Sequence, residues 1–310
     1  MMIDFMNMYS DLEKDLLGNQ KKLMISSVLS VYYGINGDGN FRLSFMSSVI
    51  PPKMESTKLL KVSQFQESDA VYWTCFDLMQ STAKQVFYTF CGDIVSSIYD
   101  IQDEHKALIL LKNRFHTWKS MFKRDVSKIT DEMIKGLLGE LYFLKEFMII
   151  KYGVDDAIET WSGPDGANKD FSKGTDWYEV KTVSANMISV KISSVTQLSS
   201  ATPGHLAIIR LESMSSQFED NQSSVGELFQ SVLRLIEVDE TREKFLEKLI
   251  SYGFDLSDDC CNVKYKILSC TLYKVDGEFP RIQETDIKFQ EICKLSYELI
   301  INTLERFREE

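Results

Sequence analysis

An α/β chain of two domains is what the sequence predicts, on three observations. Its 310 residues amount to about two domains at roughly 150 residues each. Strand-like apolar runs fall within about residues 26–77 and again between 177 and 211. Between and beyond those stretches the recurrence is helical. Residues 1–100 read as a small mixed domain, strands first and a helix to close it, and 101–310 as the larger one.

Each element has its own warrant. Residues 1 to about 20 read as a short amphipathic helix ended by Gly18. In SSVLSVYYGINGDGNFRLSF two strand runs flank Asn36-Gly37-Asp38-Gly39, whose glycines supply the positive φ of a tight hairpin. Pro51-Pro52 interrupt the chain, and 70–77, rich in Val, Tyr, Trp and Phe, is a further strand. Val86, Phe87, Phe90, Cys91, Ile94, Val95 and Ile98 then fall on one helical face. Two long helical patterns follow at about 104–123 and 130–153; Thr130 can cap the second, with Asp131 and Glu132 in its first turn. Strand candidates come next at 177–183, 188–192 and 206–211. Residues 212–224 read as a polar loop, 225–237 and 240–252 as helices, 263–275 as a strand and 284–307 as a closing helix.

Composition excludes several classes. Hydrophobic residues make up 44% and charged residues 26%, which is globular and neither disordered nor collagenous. Against 35 Lys and Arg stand 46 Asp and Glu, a net charge of -11. Any contact with nucleic acid must therefore come from a local basic surface. No apolar run of about 18 residues suggests a membrane span, and the first residues, acidic and without a positive leader, do not read as a signal peptide. Six cysteines form no CxxC pair and three histidines lack zinc spacing, so reduced thiols in a cytoplasmic protein are expected.

The chemistry concentrates in WSGPDGANKDFSKGTDWYEVKT, residues 161–182. Alternation puts Glu179 and Lys181 on one strand face and Tyr178 and Val180 on the other. Asp170 lies nine residues before Glu179, and Ser172-Lys173-Gly174-Thr175-Asp176 can turn the chain between them. A hairpin then sets two carboxylates side by side, and these repel unless a cation lies between them or one keeps a proton. Both are oxygen ligands suited to Mg²⁺, and the neighbouring lysine suits a water or the charge developing on a phosphate. Asp165, in the turn composition PDGAN, is the alternative partner of Glu179; an Asp there commonly caps its own backbone, so Asp170 is preferred. Asp176 falls at the turn.

In the preceding helix, Glu140 shares a face with Met133, Leu137, Leu144 and Phe147. A carboxylate on that face wants a partner, because burying it alone is costly. Lys135 and Lys145, each five residues away, are poorly spaced to provide one. Gly136 and Gly139 thin the helix beside it. In the other reading Glu140 stands at the edge of the face with its carboxylate in water.

These pieces resemble the PD-(D/E)xK nuclease superfamily and, more narrowly, the PD-(D/E)XK motif proteins that occur near restriction and phage-defence genes. The resemblance rests on GLLGEL at 136–141, WSGP at 161–164, DF at 170–171, EVKT at 179–182, ISSVTQL at 192–198 and FPRI at 279–282. It implies a restriction-endonuclease-like core, a mixed central sheet flanked by helices. It implies Asp170, Glu179 and Glu140 as metal-binding carboxylates and Lys181 as the active-site lysine. It sets Gln197 near the catalytic centre, orienting a phosphate or a water; the other reading is a polar residue at a helix start. Lys191 faces the scissile backbone or solvent, and Trp161 supports the site or fills the core.

The activity so implied is Mg²⁺-dependent hydrolysis of double-stranded DNA, with Mn²⁺ able to substitute, by a restriction-type endonuclease of host defence that leaves 5′-phosphates. It would act as a homodimer or with a partner in a restriction or defence complex. Two other classes stay open: a catalytically inert subunit of such a complex, suggested by the net charge of -11, and an RNA-directed or DNA-repair nuclease of the same fold. The first 100 residues would recognise DNA or a partner, or scaffold the rest.

Overall fold

The computed structural model describes residues 3–12, 18–121, 130–213, 222–253, 259–289, 291–292 and 294–309. The chain divides into two units, Met1–Ser127 with Gly253–Asp259, and Lys128–Tyr252 with Cys260–Glu310.

The first unit contains α1 (Phe5–Leu12), β1 (Gln20–Leu23), β2 (Ser30–Ile35), β3 (Phe41–Ser47), β4 (Leu60–Ser68), β5 (Val71–Leu78), α2 (Lys84–Ser97) and α3 (Glu104–Met121). Its sheet runs β1-β2-β3-β5-β4 with every pair antiparallel. The expected hairpin joins β2 to β3. Asn36 Oδ1 accepts from the N–H groups of Asp38 and Asn40, both at 2.9 Å, and Gly39 takes the positive φ. Phe76 packs 5.4 Å from Phe90 of α2 and 5.0 Å from Phe115 of α3, ring centre to ring centre. That packing places α3 in the first unit, whereas the sequence grouped it with the larger domain. The sequence reading missed β1 and β4 because they are edge strands: one buries a single residue at its end, and the other is mostly exposed, so neither shows clean alternation.

The second unit opens with α4 (Asp131–Phe143), capped by Thr130, whose side chain accepts from the N–H of Met133. A wider turn at Leu144–Met148 carries it into α5 (Ile149–Tyr152), and Gly153 at positive φ ends it before α6 (Val154–Thr160). There follow β6 (Phe171–Lys173), β7 (Asp176–Ser184), β8 (Ser189–Ile192), β9 (Gly204–Ser213), β10 (Gln222–Ser223), α7 (Val225–Leu235), α8 (Asp239–Tyr252), β11 (Tyr265–Val275) and β12 (Tyr297–Ile300). The sheet runs β10-β11-β9-β7-β6. β7 and β9 are parallel and the other neighbours antiparallel, so the sheet is mixed. Of the loop expected at 212–224, the stretch 214–221 lies outside the described residues.

Alternation along β7 decides what each face meets. Tyr178, Val180 and Thr182 face α4, which comes so near that a Cβ on Gly139 would stand 2.3 Å from Thr182 Cγ2. Only glycine permits that approach. Trp177 and Val183, with Leu206 and Ile208 of β9, pack into a core completed by Val190, Ile192, Leu198, Phe279, Leu299, Leu304 and Phe307.

One expectation fails. Residues 284–307 do not form a closing helix; among the described residues, short 3₁₀ turns flank β12, which pairs antiparallel with β8. Phe289 and Ile292 within that span are exposed, while Leu299 and Ile301, two residues apart, are buried. A partner strand was available, and it overrode the local helical spacing. Among the described side chains Cys75, Cys91 and Cys270 are free thiols. Among the described residues no helix is long and apolar enough to cross a membrane.

Candidate active site

Two residues of turn, Gly174 and Thr175, separate the pair Lys173 and Asp176, and Gly174 takes the positive φ. Phe171 stands opposite Tyr178, and the N–H of Asp170 bonds to the carbonyl of Tyr178 at 3.2 Å. Asp170 therefore enters the hairpin beside Glu179, with its Oδ2 accepting from the N–H of Val180 at 2.7 Å. On the same strand Lys181 Nζ donates to Glu179 Oε1 at 2.6 Å; Glu179 is 1% exposed and Lys181 18%. The other oxygen of Glu179, Oε2, is buried with no hydrogen-bond partner.

Glu140 reaches this pair from α4. It is buried, with Trp161 Nε1 donating to its Oε2 at 2.7 Å and the Tyr252 hydroxyl to its Oε1 at 3.2 Å. A Cβ on Gly163 would lie 2.7 Å from Glu140 Oε2 and 3.1 Å from Asp170 Oδ1, so Gly163 is the gap across which these two acids meet. The apolar face read for Glu140 holds at Leu137 and Leu144, which are buried, while Met133 is exposed at the first turn.

The charges are not at ease. Burial, then the nearby Asp170, pushes Glu179 up to about 8 against the pull of Lys181. Burial raises Asp170, opposed by Lys181, the Val180 N–H and Lys169. Glu140 is raised well above the usual carboxylate range by burial and by Asp170, despite its two donors. Burial and mutual repulsion thus suppress the ionisation of all three acids together.

The remaining expected residues lie as follows. Asp165 pairs with Lys248 at 2.9 Å. Asp176 accepts from Tyr152 at 2.8 Å and Lys151 at 3.2 Å. Gln197 closes a short 3₁₀ turn, Val195–Gln197, and its Oε1 accepts from the N–H of Ser193 at 2.8 Å. Its side-chain oxygen is thus committed to its own turn. Lys191 is exposed opposite Glu298 in the β8–β12 ribbon. Among the described residues no three His, Cys, Asp or Glu side chains are grouped so as to hold a metal ion.

Sequence reading missed three neighbours. Tyr252 lies 112 residues from Glu140, and no short-range signal links them. Lys169 precedes Asp170 and turns back to donate to the carbonyls of Thr196, Gln197 and Ser199. Arg281 lies within the quoted FPRI piece and donates to the carbonyl of Leu198. A basic residue beside each motif is the signal that was there to find.

Trp161→Phe keeps the ring packing but strands Glu140 Oε2. It should cost about 1–3 kcal/mol of stability, the penalty of a buried acceptor left without its donor, measured by urea unfolding at neutral pH. A loss within about 0.5 kcal/mol, the range of an ordinary surface change, would show that Glu140 does not depend on the indole.

No curated protein and no solved structure matches the chain. A family pattern does match, across residues 6–302. That span covers the helix of Glu140, the hairpin of Asp170 and Glu179, and the FPRI piece, and the mixed sheet between helices is the restriction-endonuclease-like core the resemblance implied. The chain belongs to the family described as "Putative PD-(D/E)XK family member, (DUF4420)".

Proposed function

We propose that this protein is a divalent-metal-dependent nuclease that hydrolyses phosphodiesters of double-stranded DNA, as a restriction-type endonuclease of host defence. The observation that carries the reading is the pair of half-buried Asp170 and buried Glu179, with Lys181 on one Glu179 oxygen and nothing on the other. That orphaned oxygen fits a hard cation, as does the suppressed ionisation of both acids. Mg²⁺ commonly takes only one or two carboxylates and completes its shell with water and substrate phosphate, so a pair of acids is sufficient. Asp170 and Glu179 would hold it, with Glu140 behind them.

A cation bound there would neutralise the acids, polarise the phosphodiester and acidify an attacking water. The protein's own groups do the rest. Lys181 presents its ammonium from the same strand face as Glu179 and offsets charge gathering on the phosphate. The Val180 N–H fixes the rotamer of Asp170, and the Trp161 and Tyr252 donors hold Glu140 in place. Preorganised in this way, the groups need little rearrangement when charge develops.

Supercoiled plasmid should be nicked with Mg²⁺ or Mn²⁺ and left intact in EDTA, while matched RNA duplex should be spared. Failure to nick, together with no heat of Mg²⁺ or Mn²⁺ binding to the folded protein, overturns the reading. A second reading, an inert subunit of a defence complex, is favoured by one observation: both oxygens of Glu140 are already taken by Trp161 and Tyr252. Absence of metal binding with an intact fold would support it. Duplex cleavage on both strands would further require two copies or a partner, because one such centre cuts one strand at a time.

A further inference from the structure

We infer that Arg281 contacts a backbone phosphate of the nucleic acid beside the acid pair, with Lys169 supplying a second positive charge to the same subsite. The inference rests on the nuclease reading of those acids.

Four successive carbonyls, those of Thr196, Gln197, Leu198 and Ser199, are taken by just two cations. Lys169 Nζ donates to Thr196 at 2.8 Å, Gln197 at 2.5 Å and Ser199 at 3.2 Å. Arg281 Nη1 donates to Leu198 at 2.7 Å. The Lys169 ammonium also sits 3.9 Å from the centre of the Trp177 ring. These are neutral partners. Several other cations that leave the solvent find a carboxylate: Arg42 has Asp77 at 2.6 Å, Lys119 has Glu55 at 2.6 Å and Lys248 has Asp165 at 2.9 Å, while Arg210 donates to the carbonyls of Ala185 and Met187. Among the described residues neither Lys169 nor Arg281 makes such an ion pair, in a chain with eleven more acids than bases.

The two cations share one stretch of four carbonyls, residues 196–199, with Lys169 on three and Arg281 on the fourth. Two cations gathered on neutral carbonyls, with no carboxylate among the described residues in hydrogen-bond contact, mark a place that can take an anion. Arginine has five N–H donors in a planar fork. One goes to Leu198, Nε is buried with no partner, and the residue as a whole is half-buried. A fork with donors to spare matches a phosphate better than a lone carbonyl. The same arrangement explains how a protein of net charge -11 can approach a polyanion: the needed cations are local and lie next to the chemistry.

The test is binding of a labelled duplex oligonucleotide, followed by fluorescence anisotropy in EDTA between about 50 and 200 mM salt. Arg281→Ala should weaken binding about 10-fold and lower the slope of log K against log salt by about one, the signature of one lost phosphate contact. Arg281→Lys should recover the slope but only part of the affinity, because the fork is gone. It also keeps a donor for Leu198, so it reports even where the alanine variant melts early. Wild-type affinity and slope in a folded Arg281→Ala protein would overturn the inference. So would a wild type that is stabilised by inorganic phosphate through Arg281 yet binds no duplex, since the anion would then not be nucleic acid. Arg281-dependent duplex binding without metal-dependent cleavage would sustain the inference and remove the nuclease reading alone.

Discussion

Glu179→Gln should abolish cleavage and divalent-metal binding and yet raise the melting temperature above pH 8. The carboxyl group has a folded-state pKa of about 8 against roughly 4.3 in an unfolded chain. A group raised in this way contributes its stability in full below the unfolded pKa. That contribution drains away as pH rises, and it is gone once pH has passed the folded value. The window is therefore from about pH 4.3 to pH 8, and the amount is on the order of 3 kcal/mol, allowing for sharing with Lys181 and Asp170. Glutamine has no proton to lose and occupies nearly the same volume. Wild type and variant should melt alike near pH 5, and at pH 9 the variant should melt several degrees higher. Added Mg²⁺ should lift the wild type at alkaline pH and leave the variant unmoved. Coincident melting curves from pH 5 to 9 would show that Glu179 ionises in the fold without penalty, and the argument for a waiting cation site would lose its main support.

Lys181→Ala should act with the opposite sign on stability and should hit rate harder than binding. Its ammonium lies 2.6 Å from Glu179 Oε1. Without it the buried carboxylate loses the nearest charge that favours its ionised form, so its folded-state pKa rises further and the alkaline loss of stability should run on to higher pH and be larger in total. Divalent-metal affinity should be spared, since the acids remain. Cleavage should fall by at least about 100-fold, the order seen when one stabiliser of transition-state charge is deleted. The measurements are plasmid nicking, isothermal titration with Mn²⁺ and thermal melts over pH. Unchanged cleavage would place the centre elsewhere in the chain.

How much of this was legible in the sequence follows from how local each feature is. The encounter of Asp170 with Glu179 is a hairpin event within ten residues, and turn composition with strand alternation was enough to foresee it. Glu140 was legible as a carboxylate on an apolar helix face. Its partners were not: Trp161 was readable only as support or core, and Tyr252 comes from a helix more than 100 residues on. The β8–β12 ribbon was invisible for a related reason. A four-residue strand has too few alternations to outweigh a helical spacing of Phe and Ile before it, and only its distant partner decides the outcome. The cations Lys169 and Arg281 escaped because neither has a periodic position; each is placed by the carbonyls of a turn that is itself non-local.

The two-residue turn at Gly174 and Thr175 fixes where this protein can change length. Residues inserted there lengthen a surface loop, at about 0.6 kcal/mol for each doubling, and leave Phe171 opposite Tyr178. Inside β6 the same change is fatal to the site, because a strand that slips by one residue turns every side chain to the other face. One residue lost would bring Lys169, a cation, to the position of Asp170; one gained would bring Phe171 there. The interval of nine residues between the acids is thus a property of the turn. Among related chains that interval is free to drift at a single point, so the second acid is to be sought by its ladder partner and not by counting along the chain.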